Sequence, residues 1–177
     1  MTRTPLDEVS CSIARTVNVL SDAWSWLIVR DTYLGVNRFD DYVADLGITR
    51  RVLSRRLSEL VEAQILKKQL YASGPDRFDY LLTEKGAELV PLLAVLAQWG
   101  DRWEPSPGGP PIIFEHGECG PIQAVVACSC CAEALSAENV AATAGPGGTA
   151  GPGTALIGRL LAAQRSQKEV FPPEHGS

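Results

Sequence analysis

Four arginines lie within seven residues of this chain, and hydroxyl side chains are interspersed among them. An arginine guanidinium can form paired hydrogen bonds with guanine O6 and N7, and serine hydroxyls can contact bases or phosphates. These residue types at this density therefore indicate recognition of double-stranded DNA. The candidate DNA-contacting residues of this stretch are Thr49, Arg50, Arg51, Ser54, Arg55, Arg56 and Ser58.

A helix over Thr49–Ala63, capped by Thr49, would sort these residues onto two faces. At about 100° per residue, one side carries Leu53, Leu57 and Leu60, and the opposite side carries Arg51, Ser54, Arg55 and Ser58. We expect the polar side to meet base edges, and the flanking Arg50 and Arg56 to contact phosphates. An ordinary amphipathic helix with a solvated basic face is the alternative that this helix alone leaves open.

The elements before this helix follow from cap residues and helical periodicity. A helix is predicted over Ala23–Leu34, with Gly35 at its C-terminal stop. Asp40 begins a brief helix over Asp41–Asp45, and Gly47 makes the turn into the arginine-rich helix. A short helix, a tight turn and a second helix form a helix-turn-helix.

The elements after it predict a wing. Alternating residues indicate strands over Lys67–Tyr71 and Phe78–Leu82, joined by the turn Ala72–Arg77. Arg77, at the tip, is a further candidate for backbone contact with DNA. Thr83 then caps a long helix to about Trp103, within which Pro91 would introduce a kink. The predicted fold over residues 1–104 is mainly α with a small β-hairpin: a winged helix-turn-helix.

Several segments together resemble the HxlR family of winged-helix regulators, which is related in fold to the MarR regulators. The resemblance covers about Cys11–Trp103 and implies a homodimer whose terminal helices form the interface, with two recognition helices in successive major grooves. It also implies repression or activation of a nearby operon. The matching segments are Ala23–Arg30 (AWSWLIVR), Arg38–Phe39, Thr49–Ala63 (TRRVLSRRLSELVEA), Asp79–Gly86 (DYLLTEKG) and Leu96–Trp103 (LAQWGDRW).

The last predicted helix supports a dimer independently of the resemblance. Two winged modules about one DNA turn apart would read a pseudo-palindromic operator. The helix also carries more apolar surface than one small domain is expected to cover, although the same stripe could simply cover the domain's own core. The stripe consists of Leu89, Leu92, Leu93, Leu96 and Trp99.

A signal could enter at two places in the winged domain. Cys11 matches the position of an oxidant-sensing cysteine in some HxlR-type regulators, and a helix N-terminus favours the thiolate. A small buried hydrophobe is the alternative for this cysteine. A small-molecule effector could instead bind beside Trp24, Trp26, Trp99 and Trp103, if these are not plain packing residues.

The chain beyond the winged domain divides by composition. A Pro/Gly linker over residues 105–111 precedes a Cys-rich, ribbon-like appendage over residues 112–135. His116, Cys119, Cys128 and Cys131 form two ligand pairs that could hold a structural zinc, and Cys130 is an extra thiol. A degenerate ribbon without metal is the alternative. Residues 136–177 are a low-complexity segment followed by a short helix or tail.

Composition limits the remaining classes of protein. The 177 residues carry a net charge of −5, with no apolar run long enough to cross a bilayer and no signal-peptide pattern, so a cytoplasmic protein is expected. A thiol oxidoreductase built on the cysteines is disfavoured, because C-x-x-C redox motifs normally begin a helix in a βαβ unit. A protein-interaction module that kept the winged fold is the other alternative to a DNA-binding, non-enzymatic regulator.

Overall fold

The computed structural model describes residues 8–20, 22–70 and 78–170. Helices predominate in these ranges, and two short strands form one antiparallel hairpin. The elements in chain order are α1 Ser12–Val19, α2 Ala23–Tyr33, α3 Phe39–Leu46, α4 Arg50–Glu62, β1 Leu66–Leu70, β2 Phe78–Leu82, α5 Glu84–Ala87, α6 Val90–Trp103 and α7 Ala155–Val170. The order α2 to α6 is that of a winged helix-turn-helix, which confirms the predicted fold class.

The helix-turn-helix consists of α3, a turn at Gly47 and α4. Gly47 has φ of 61°, a left-handed conformation that glycine adopts at little cost, and it ends α3. Thr49 then caps α4, its hydroxyl accepting a hydrogen bond from the Val52 N–H at 3.4 Å. Helix α3 begins at Phe39, earlier than predicted, so Asp40 lies in its first turn rather than at its cap.

The hydrophobic core lies beneath α4. The inward side chains Leu53, Leu57 and Leu60 are buried, at 0%, 1% and 0% exposure. Helix α2 packs against both α4 and β2, and contributes the buried Ile28 and Val29. Burial of each such side chain stabilises the fold by about 1.5–3 kcal/mol. The core therefore fixes which face of α4 points away from the protein.

The wing is a hairpin extended by a third short segment. Strands β1 and β2 pair antiparallel from Leu66 opposite Leu82 to Leu70 opposite Phe78. Arg38 forms an isolated bridge with Asp79. The predicted Tyr71 strand end and the Ala72–Arg77 turn lie outside the described residues. The hairpin leaves the core immediately after α4.

The single long helix predicted after Thr83 is instead two helices. Thr83 caps α5, accepting from the Gly86 N–H at 3.0 Å, and the chain reaches α6 through Leu89, its N-cap. Pro91 therefore lies in the first turn of α6, where an N–H group has no helical partner to lose. The proline starts a helix here and does not kink one.

The described residues fall into two compact units, and the domain boundaries expected from composition stay a prediction. Asp22–Ala134 form one compact unit, and the described residues before Asp22 and after Ala134 form the other. Segment 112–134 thus belongs with the winged helix. The Phe114 ring stacks on Tyr33 at a centroid distance of 6.4 Å, and Gln98 Nε2 donates to the Ala124 carbonyl at 3.2 Å. No described helix is long and apolar enough to span a membrane.

Candidate nucleic-acid interface

The face of α4 opposite the core presents the predicted base-contacting residues to solvent. Arg51, Ser54, Arg55 and Ser58 are all exposed. Arg51 makes no ion pair with any residue in the described ranges, so its guanidinium is available to a ligand. Arg55 is 61% exposed, and its Nε lies 3.7 Å from Glu59 Oε1. An exposed pair of this kind contributes about 1 kcal/mol or less.

Arg50 flanks this face near the N-terminus of α4. Its Nη2 lies 2.6 Å from Asp40 Oδ1 of α3, and its guanidinium lies over the Phe39 ring at 5.6 Å. Both charged side chains are exposed, at 67% and 75%. A phosphate could therefore replace Asp40 as the partner of Arg50 without leaving a buried charge unpaired, as the prediction of a phosphate contact requires.

Arg56 points in a different direction from the one predicted. Its side chain is only 12% exposed, and it pairs with Asp22 at the start of α2 and with Glu59 one turn along α4. The distance from Nη1 to Glu59 Oε2 is 2.6 Å. Two carboxylates offset its charge, so we withdraw Arg56 from the predicted phosphate contacts. The spacing of three residues between Arg56 and Glu59 is the sequence signal that could have predicted the Arg56–Glu59 pair.

Two lysines lie in the described part of the wing, which does not include the tip. Arg77, the predicted contact at the tip, lies outside the described residues. Lys67 and Lys68 are exposed on β1, and Lys68 Nζ lies over the rings of Phe78 and Tyr80 at 5.3 and 5.7 Å. The rings keep the ammonium group of Lys68 beside the hairpin.

Sequence reasoning missed the anchor at the C-terminal end of α4. Gln64 follows the helix with φ of 58°, a conformation rare for residues other than glycine. The Thr83 hydroxyl donates to the Gln64 carbonyl at 2.6 Å, and Lys85 Nζ donates to the Ala63 carbonyl at 2.8 Å. The start of α5 therefore fixes the turn that joins the recognition helix to the wing.

Buried polar groups link α2 to α3 behind the interface. Asp31 is 2% exposed, and burial raises the pKa of its carboxyl although Arg30 binds it at 2.6 Å. The same guanidinium lies 3.5 Å from Asp45 of α3. Burial also raises the pKa of Tyr42, whose hydroxyl lies 2.6 Å from Thr32 Oγ1. These contacts hold the first helix of the helix-turn-helix against the core.

The four tryptophans do not form one pocket. Trp26 lines a cavity of about 360 Å³ between α2, α6 and the segment after α6, together with Leu96, Asp101 and Phe114. Trp24 is absent from the lining of the described cavities, and Trp99 and Trp103 are exposed on α6, at 60% and 59%. Among the described residues, the Trp26 cavity is lined by one tryptophan, and an effector site that uses the other three stays a prediction.

The predicted zinc ligands lie in two separate turns. His116 precedes a short 3₁₀ turn that ends at Cys119, whereas Cys128 and Cys131 belong to a later turn. Among the described residues, no group of three or more His, Cys, Asp and Glu side chains is arranged to hold a metal ion. The residues as arranged do not fit a four-ligand zinc site, and the zinc expected from the sequence alone is left for metal analysis to test.

Cys128 is the cysteine with a perturbed thiol. The backbone N–H groups of Cys131 and Cys130 point at its sulfur, the latter at 3.4 Å, and with the Cys131 thiol they lower its pKa. Cys11, the predicted sensor, is the half-buried N-cap residue of α1 and makes no side-chain cap bond. Arg15, one turn on, donates to Ser12 Oγ at 3.1 Å. Sensing by Cys11 stays a prediction.

Known proteins share this architecture and much of this sequence. The uncharacterised HTH-type transcriptional regulator Rv3095 of Mycobacterium tuberculosis is 40% identical over 137 residues, which are 77% of this chain and 87% of that protein. The crystal structure of PA1607, described as a candidate transcription factor, has a TM-score of 0.68 at 32% identity. It covers 77% of this chain and 96% of that one.

A second solved structure, the candidate transcription factor PA1374 of Pseudomonas aeruginosa, has a TM-score of 0.54 at 33% identity. It covers 77% of this chain and 93% of that one. The sequence model of the HxlR-like helix-turn-helix family matches residues 19–107, which contain α2 to α6. The relatives and the family are transcriptional regulators and not enzymes. This chain therefore belongs to the HxlR-like helix-turn-helix family of DNA-binding transcriptional regulators.

Proposed function

We propose that this chain acts in the cytoplasm as a homodimer that reads a pseudo-palindromic operator through α4. The observation that carries the proposal is the exposed face of α4, where Arg51 and Arg55 stand beside Ser54 and Ser58. Such side chains read guanine and neighbouring bases in the major groove. Thr49 and Arg50, at the N-terminus of the helix, are proposed to meet phosphate, as is Arg77 at the wing tip.

The apolar surface of α6 supports the homodimer. Leu92, Leu96, Trp99 and Trp103 are spaced by four, three and four residues and are 46% to 60% exposed. This is the a/d spacing that lets two helices pack along a common seam. Within its own unit α6 buries Leu93 and Ala94, whereas these four side chains stay exposed and Leu96 also lines the Trp26 cavity.

Charge reversal on α4 tests the DNA-reading face. The operator is first recovered by binding-site selection from genomic fragments. The double variant Arg51→Glu and Arg55→Glu should then lose affinity by about 100-fold or more, since each good arginine–guanine pair contributes about 1–3 kcal/mol. Circular dichroism should show an unchanged fold, because both side chains are exposed.

The matched control for charge is the double variant Arg15→Glu and Arg159→Glu. Both arginines are exposed on α1 and α7, and the change in net charge is the same. Operator affinity of this control should stay within about threefold of the parent at physiological salt, because neither arginine belongs to the proposed DNA-contacting set. Equal losses in the two variants would show that net charge, and not the α4 face, governs binding.

The dimer is tested by the pair of changes Leu96→Glu and Trp99→Glu. Buried glutamates along a shared seam would be unpaired, so sedimentation at micromolar concentration should show a monomer. Operator affinity should fall as well, because two half-sites would no longer be read together. A wild-type monomer in sedimentation with undiminished operator binding would contradict the dimer.

The signal is proposed to act at the Trp26 cavity or at Cys11. The cavity lies between α2, which packs on α4, and α6, which carries the proposed dimer seam. A small molecule there would alter the relation between these two helices. For Cys11, oxidant-dependent release of DNA should disappear in Cys11→Ser, and its persistence in that variant would remove Cys11 from the signalling role.

A further inference from the structure

A line of four alternating charges connects the start of α2 to the DNA-facing side of α4. Asp22 uses Oδ1 to cap α2, accepting from the Ser25 N–H at 3.0 Å and from its hydroxyl at 3.3 Å. Its other oxygen, Oδ2, pairs with Arg56 Nη2. The cap fixes the carboxylate, so Asp22 offers Arg56 a partner that is held by the backbone.

The line continues outward along α4. Arg56 Nη1 donates to Glu59 Oε2 at 2.6 Å, and Glu59 Oε1 lies 3.7 Å from Arg55 Nε. Side-chain exposure is 26% at Asp22 and 12% at Arg56, and from there it rises to 43% at Glu59 and 61% at Arg55. The inner members are fixed by burial and the last one reaches solvent beside Ser54 and Ser58.

We infer that the Asp22–Arg56–Glu59 array positions Arg55 for base reading, which makes Arg56 a positioning and specificity-determining residue. The inference rests on the proposed function, in which Arg55 contacts a base. Arg55 has a long side chain, and ordering such a chain on binding costs about 0.5–1.5 kcal/mol. A partner that restricts Arg55 before DNA arrives lowers that cost and directs the guanidinium to one base position.

A direct phosphate contact by Arg56 is the competing role, and the geometry disfavours it. Turning the guanidinium outward would break its pairs with both Asp22 and Glu59. A broken, partly buried ion pair leaves an uncompensated charge behind. The two roles also predict different salt dependence, because each neutralised phosphate contributes about −0.9 to the slope of log K against log salt.

A double-mutant cycle on the recovered operator tests the inference. Arg56→Met keeps the aliphatic stem, and in the parent background it should weaken binding about fivefold per half-site, which corresponds to the cost of ordering one side chain. In an Arg55→Ala background the same change should have less than about a twofold effect, since there is no side chain left to position. In an Arg51→Ala background, the matched control, the full fivefold effect should remain.

Two further readouts separate positioning from phosphate contact and from unfolding. The salt slope should be unchanged in Arg56→Met but should fall by about 0.9 per half-site in Arg50→Met, the proposed phosphate contact. Discrimination at the base pair read by Arg55 should fall in Arg56→Met. If that variant does not fold, Asp22→Asn replaces it, because asparagine retains the helix cap while removing the charge.

The outcomes distinguish failure of this inference from failure of the proposed function on which it rests. If the parent chain selects no operator, the proposed function fails and the inference with it. If the parent binds and the effects of Arg55 and Arg56 are additive, or the salt slope falls in Arg56→Met, the inference alone is overturned. The inference is supported if Arg56→Met couples to Arg55→Ala but not to Arg51→Ala, and if the salt slope of Arg56→Met equals that of the parent.

Discussion

The recognition helix α4 and the cysteine-bearing segment 112–134 are held in the same unit by very different means. The inward leucines of α4 are at most 1% exposed, whereas Ile113, Val125 and Val126 of the segment are 53% to 65% exposed. Among the described contacts of the segment are the Phe114–Tyr33 ring stack and a Gln98 side-chain bond. Buried area fixes the helix, and a few contacts fix the segment.

The difference explains why chemistry can be assigned to one region and not to the other. A helix whose back is buried has one outward face, so the residues on that face have defined neighbours. The cysteines of the segment lie in turns with almost no core behind them, and their sequence spacing does not determine which of them meet. The family region ends at residue 107, although the likeness to Rv3095 extends over more residues than that region contains.

The largest effect should follow from removing part of the core behind α4. Leu57→Ala leaves a cavity at a side chain that is 1% exposed, and we expect the free energy of unfolding to fall by about 2–5 kcal/mol. Chemical denaturation with a constant m-value would measure it. Leu156→Ala on α7, where the side chain is 69% exposed, is the control and should be nearly neutral. Similar losses in both would contradict the assignment of the core.

A smaller effect is expected where α5 passes the end of α4. A Cβ at Gly86 would lie 2.2 Å from the Ile65 carbonyl oxygen, which is backbone and cannot rotate away. Gly86→Ala should therefore destabilise the chain by about 1–3 kcal/mol through overpacking. Gly108→Ala places its Cβ in open space within the linker and should change the thermal midpoint little. An unaffected Gly86→Ala would show that the turn after α4 adapts.

The sequence predicts α4 better than segment 112–134, because burial of one face determines the arrangement of α4 and little burial determines that of the segment. Cap and periodicity signals located α4, because Thr49 caps the helix through a local hydrogen bond and the regularly spaced leucines mark its buried face. The inward direction of Arg56 depends on its ion pair with Asp22, which is 34 residues away along the chain. A local sequence pattern does not predict a contact between residues so far apart in sequence. The break before Pro91 was missed, because near-helical residues such as Leu89 can continue a helix or begin a new one.

Removing a contact of segment 112–134 should lower the free energy of unfolding by less than either Leu57→Ala or Gly86→Ala does. Phe114→Ala removes a ring stacked on Tyr33 with an interplanar angle of 8°, a type of pair that contributes about 0.5–1.5 kcal/mol. We expect a modest drop in unfolding free energy and faster limited proteolysis within the segment. Operator affinity should stay within about twofold, since α4 is held by its own core. A loss of DNA binding would show that the segment supports α4.

Metal removal should have the smallest effect, and it tests the segment most directly. Four ligands gathered on one zinc ion would give the segment folding energy that its few contacts lack. The structure keeps the His116–Cys119 and Cys128–Cys131 pairs in separate turns, so we expect less than about half an equivalent of zinc per chain, which is below what a structural site requires. A chelator should then leave the thermal midpoint unchanged. One equivalent of zinc, with a midpoint that falls on chelation, would show that metal draws the two turns together and supplies the stability that burial supplies to α4.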